Sequence, residues 1–120
     1  MNVMATMLGI AVLLTATSAG ADRGIVSMRV WPATSIEPAT VLVQVHVRQD
    51  QENRMLRLAV DSDDFSVRSE RQLDGESAPR MSTFECRQLP AGQYEVDVEV
   101  IGANGRSRAG ARSTLSVLPR

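Results

Sequence analysis

Apolar and polar residues alternate with a period of two over most of the chain beyond residue 22. Between Val41 and Arg48, Val41, Val43, Val45 and Val47 share one side, and Leu42, Gln44, His46 and Arg48 share the other. A two-residue period is that of an extended strand with one buried and one wet face. The pattern recurs in Arg54–Asp61 (Leu56, Leu58, Val60), Phe65–Leu73 (Phe65, Val67, Leu73) and Met81–Gln88 (Phe84, Cys86). It is strictest in Gln93–Ile101, where Glu95, Asp97 and Glu99 separate the valines, and it returns in Arg106–Leu118 through Ala109, Ala111, Leu115 and Val117. Ile25–Trp31 is rich in strand formers, and Pro32 ends it because proline cannot donate to a ladder. Ala33–Thr40, with Glu37-Pro38, reads as a connecting loop. Asp74-Gly75, Ala78-Pro79 and Asn104-Gly105 mark turns. About seven short strands, with turns between them and no helical periodicity, predict a single antiparallel β-sandwich.

The run Leu89-Pro90-Ala91-Gly92-Gln93-Tyr94 delivers a tyrosine at the mouth of the strictest strand. In a sandwich corner such a ring packs inward and its hydroxyl bonds to backbone a few residues upstream, here within Arg87–Ala91. Tyr94, Gly92 and Cys86 are therefore the expected structural residues. The stretch Leu89–Val117 resembles the last two strands of immunoglobulin-like and fibronectin type III-like domains. Its Leu-Pro-Ala-Gly-x-Tyr form is similar to bacterial immunoglobulin-like repeats and to transthyretin-like regulatory domains. The resemblance implies a seven-stranded immunoglobulin-like sandwich used for adhesion, spacing or protein recognition, and it carries no catalytic residue with it.

The first 21 residues hold no charged side chain, and an apolar run from Met7 to Ala16 leads to Ala19-Gly20-Ala21. This is the pattern of a secretory signal peptide cleaved before Asp22. It predicts a leader over 1–21, a domain over 22–120, periplasmic or extracellular localisation, and no membrane insertion after cleavage. The runner-up is a retained membrane anchor, for which the apolar run is short of the ~20 residues a span needs. All 13 basic residues are arginine, set against 14 acidic ones for a net charge of −1. Nothing in that balance draws the chain to nucleic acid.

Candidate chemistry is sparse. One histidine and one cysteine exclude an internal disulfide and a histidine pair for a metal. The alternation turns His46 outward and Cys86 inward, so they should not meet as a nucleophile and its base, and Cys86 is expected to be a packed thiol. Asp61, Asp63 and Asp64 could offer oxygens to calcium, although an ordinary polar turn explains them as well. Glu95, Asp97 and Glu99 form an acidic ladder that Arg57, Arg106, Arg108 and Arg112 could face, as cross-strand charge pairs or as a docking surface. Trp31 is the one candidate exposed anchor, with packing over the sandwich end the favoured alternative. With no catalytic residue and no cofactor in view, these features predict an exported, non-enzymatic domain acting by contact with an unknown protein partner. The alternatives are a transthyretin-like accessory module of an envelope enzyme or transporter, and a calcium or small-ligand binding domain.

Overall fold

The computed structural model describes residues 24–120, so the expected leader over 1–21 lies outside the described residues. Every alternating segment forms a strand, and the full set is β1 (Val26–Trp31), the unexpected β2 (Thr34–Ile36), β3 (Ala39–Val47), β4 (Asn53–Asp61), β5 (Ser66–Gln72), β6 (Met81–Leu89), β7 (Gly92–Gly102) and β8 (Ser107–Leu118). They build two sheets, one in the order β1-β3-β6 and one in the order β2-β8-β7-β4-β5. The described residues are thus all-β, apart from a 3-10 turn at Gly75–Ser77.

The described residues contain eight strands where about seven were expected. The addition is β2, inside the segment read as a loop. It pairs parallel to the end of β8, Thr34 with Ser116 and Ile36 with Leu118, whereas the other strand pairs are antiparallel. Three residues are too few to display a period, and their place is set through backbone pairing with β8. The chain thereby leaves one sheet after Trp31 and joins the other at Thr34.

The inner faces interlock as the alternation predicts. Val41, Val43, Val45, Phe84 and Cys86 from one sheet and Leu56, Leu58, Val60, Tyr94, Val96, Val98, Val100, Leu115 and Val117 from the other are all buried in one cluster. Each fully buried aliphatic side chain contributes about 1.5–3 kcal/mol relative to exposure. Arg71 of β5 reaches across the open side, its guanidinium 4.2 Å from the centre of the Phe84 ring and donating to the Thr83 carbonyl at 3.2 Å.

The turns follow their residues. Gly75 takes φ +59°, and a Cβ there would lie 3.2 Å from the Gln51 backbone, so both conformation and space require glycine. Gly92 differs: a Cβ would meet Ser62 Cβ at an ordinary 3.4 Å, and nothing in its geometry demands glycine. The Tyr94 hydroxyl donates to the Pro90 carbonyl at 2.7 Å, within the expected upstream window.

At the same end of the sandwich, Glu37 accepts the N–H of Ala91 at 3.0 Å and that of Arg120 at 3.3 Å. These backbone donors, Ala91 foremost, hold its carboxyl below the usual carboxylate value. Gly24 precedes β1 at the opposite end, where Val26 pairs with Val47. The described chain therefore starts at one end of the sandwich and finishes at the other.

Candidate functional site

The two outer faces differ. On the five-stranded sheet, arginines are paired with acids across the strands. Arg112 meets Asp97 at 2.6 Å and Glu95 at 3.8 Å, Arg68 meets Asp61 at 2.5 Å, and Arg57 meets Glu70 at 3.2 Å. Arg57 stands opposite Glu99 in the ladder but turns to β5 instead. Arg108 also leaves the ladder, donating to Asn53 at 2.5 Å and lying 3.5 Å from Asp50. Glu95, Asp97 and Arg112 thus form exposed cross-strand pairs, which solvent screens and which add little to stability.

Asp61 accepts from Ser66 Oγ and from Arg68, which hold its carboxyl below the usual range. It is committed to the β4–β5 pairing rather than turned toward Asp63 and Asp64. Among the described residues no group of three or more His, Cys, Asp or Glu converges, so Asp61, Asp63 and Asp64 do not form the alternative calcium site. The loop instead folds locally, Ser62 Oγ accepting the Phe65 N–H at 3.1 Å.

On the three-stranded sheet the outer face forms three cross-strand rows: Trp31–Leu42–Glu85, Arg29–Gln44–Thr83 and Ser27–His46–Met81. Trp31 is 66% exposed rather than packed over the sandwich end. Parity explains this: Val26, Met28 and Val30 face the core, so Ser27, Arg29 and Trp31 face water. Cys86, beside Val41, lies on the inner face, and burial pushes its thiol above its ordinary range. Native Cys86 is expected to react slowly with thiol reagents and quickly once unfolded, measured by mass shift with and without denaturant. Cys86→Ser should cost about 1–3 kcal/mol through its poorly buried hydroxyl.

A cleft of about 520 Å³ opens where this face meets the end of the sandwich, lined by Gly24, Ser27, His46, Arg48, Gln49 and Arg80 among others, with no acidic side chain among the described residues. Its walls are positioned from several directions. The Arg48 N–H donates to Ile25 and the Val47 N–H to Arg80, tying the cleft to both edges of β3. The buried Asn53 amide donates to the Arg48 carbonyl at 3.0 Å. Gln49 donates to the Ala78 carbonyl at 2.8 Å and accepts from Arg80 Nε at 3.3 Å, which orients that guanidinium. The Arg48 guanidinium lies against Gly24, where a Cβ would stand 3.0 Å from Nη2.

Among the described residues the ion-paired arginines are Arg57, Arg68, Arg87, Arg108 and Arg112. Arg48 and Arg80 are not among them. Asp50 feels the charge of Arg48, but its carboxylate accepts the Glu52 N–H at 2.8 Å and pairs with Arg108. Sequence reasoning had placed His46 on the wet face but missed Arg48 and Arg80 as a pair. They are distant in the chain, and no motif links them.

Neither a family model nor a curated protein matches the chain. Among solved structures, a superoxide reductase (neelaredoxin) from Ignicoccus hospitalis superposes with a TM-score of 0.58 at 15% identity, over 85% of this chain and 86% of that one. A point variant of the same reductase gives the same TM-score of 0.58 at 13% identity, over 86% of this chain and 85% of that one. A family 76 glycoside hydrolase from a bovine Bacteroides thetaiotaomicron strain matches with a TM-score of 0.54 at 19% identity, over 77% of this chain but only 20% of that one.

These likenesses correct the functional expectation. The architecture taken to imply a non-enzymatic module acting by protein contact also serves a reductase, so it gives no ground for setting catalysis aside. The residues present nevertheless do not fit a redox metal with nitrogen and sulfur ligands. The single histidine and single cysteine of the chain face opposite sides of the three-stranded sheet. What the chain shares with the superoxide reductases is the two-sheet β-sandwich fold.

Proposed function

We propose that the chain is an exported, immunoglobulin-like sandwich that binds an oxyanion-bearing ligand in the cleft formed by Arg48 and Arg80. The observation that carries this reading is the meeting of two arginines that, among the described residues, have no carboxylate ion pair and share one cleft with no acidic wall. A guanidinium presents a planar fork that matches carboxylate, sulfate and phosphate, and charge-assisted bonds of that type are the strong ones. The volume lies in the range of small-molecule sites. Gln49 and Asn53 fix the two arginine segments before a ligand arrives, which lowers the ordering cost of binding. The uncharged leader pattern supports export, while the Tyr94 corner and the passage of the chain from β1 to β2 between sheets support the immunoglobulin-like assignment.

Calorimetric titration of the protein with inorganic sulfate, phosphate and monomeric galacturonate, at ionic strength held constant with chloride, tests the reading. Saturable binding is expected. Each of Arg48→Gln and Arg80→Gln should weaken it about tenfold or more, the equivalent of losing a charge-assisted bond. Arg57→Gln, on the opposite face, should leave it unchanged. Equal affinity in the Arg48→Gln/Arg80→Gln double variant would overturn the assignment.

A further inference from the structure

We infer that the Arg48–Arg80 cleft is one end of a longer track across the three-stranded sheet, and that its ligand is an acidic oligosaccharide stacked on Trp31 at the other end. The inference rests on the anion-binding reading of the cleft and deepens it. Ser27, Arg29 and Trp31 of β1 lie beside Leu42, Gln44 and His46 of β3 on one continuous face. At about 3.3 Å per residue, Leu42 is about 20 Å along β3 from Arg48, the reach of several sugar rings.

The features along that line follow in a usable order. Arg48 and Arg80 stand at one end. Arg29, which forms no ion pair among the described residues, stands midway beside Gln44, an amide able both to donate and to accept. Trp31 closes the track, 66% exposed, with Leu42 directly beside it. The one acidic residue in the three rows, Glu85, is paired with Arg87 at 3.1 Å. The face is therefore net basic, while the opposite face of the sandwich sets Arg57, Arg68 and Arg112 against the more numerous acids Asp61, Glu70, Glu95, Asp97 and Glu99.

An indole lying open on a sheet stacks well against the C–H face of a pyranose ring, and arginines spaced along the same line suit its carboxylates or sulfates. Single-stranded nucleic acid would call for successive aromatic platforms, and this face has one. An extended peptide added as a strand takes its affinity from the backbone groups of a free edge, whereas the track is made of side chains on the outer face of β1 and β3.

Trp31 is the only tryptophan in the chain, so its emission reports on the far end of the track without interference. A short galacturonate oligomer, its monomer, a neutral oligomer of the same length and an oligothymidylate are titrated in turn. The acidic oligomer should shift Trp31 emission and bind at least tenfold tighter than the monomer. Trp31→Ala should abolish that gain while monomer affinity in the cleft is retained, Trp31→Phe should restore part of it, and Arg29→Gln should reduce it.

Monomer binding with no gain for the oligomer would overturn the track and leave the cleft reading intact. An emission shift with the oligomer in the absence of monomer binding, and unaffected by Arg48→Gln, would overturn the cleft reading and the joined track with it. Tighter binding of oligothymidylate than of the acidic sugar would overturn the saccharide in favour of nucleic acid.

Discussion

Replacement of Tyr94 by alanine is expected to cost about 3–5 kcal/mol, enough to unfold a small domain of ordinary stability. The ring is 2% exposed, and its hydroxyl donates to Pro90 at 2.7 Å. Alanine removes the packing, opens a cavity between the sheets and frees the Pro90 carbonyl. Tyr94→Phe isolates the last of these effects and should cost about 1–2 kcal/mol, since a single partner is lost. Glu95→Ala, one residue on but facing water, should change stability by less than about 0.5 kcal/mol. Denaturant melts of the three variants check the register of β7. Comparable damage from Glu95→Ala and Tyr94→Ala would mean that the inward face had been misplaced.

Leu58→Ala should fall in the range of about 2–5 kcal/mol. Leu58 is fully buried near the middle of β4, paired with Val98 on one side and Ser69 on the other. Both neighbours belong to rigid pairings, so the surroundings can close only partly over the missing atoms. Arg57→Ala, one residue earlier, removes an exposed ion pair and should leave the melt nearly unchanged. A loss of under about 1 kcal/mol for Leu58→Ala would mean that the sheets do not press together at this point.

The fold was legible wherever one face of a strand is buried and the other wet. The valines of β3 and β7, Phe84 and Cys86 of β6, and the Tyr94 corner all follow from a period of two. The short β2 was not legible, because its partner is found through backbone pairing and three residues carry no period. Nor was the turning of Arg57 to Glu70 instead of Glu99. Both acids flank it across the sheet, and the alternation does not distinguish them. Trp31 could have been placed outward from the parity of Val26, Met28 and Val30. Its size argued for burial, and that argument misled. The cleft depends on three chain segments meeting at Gly24, Arg48 and Arg80, which no local pattern announces.

The run of the chain from Gly24 at the cationic end to Arg120 beside Glu37 decides how the domain can be handled and strung together. A tether leaving after Arg120 departs from the Glu37 end and keeps Arg48 and Arg80 clear, so immobilisation through that side presents the cleft outward. In a tandem array, each cleft would face the preceding copy, and the spacing of the linker would then gate access to it.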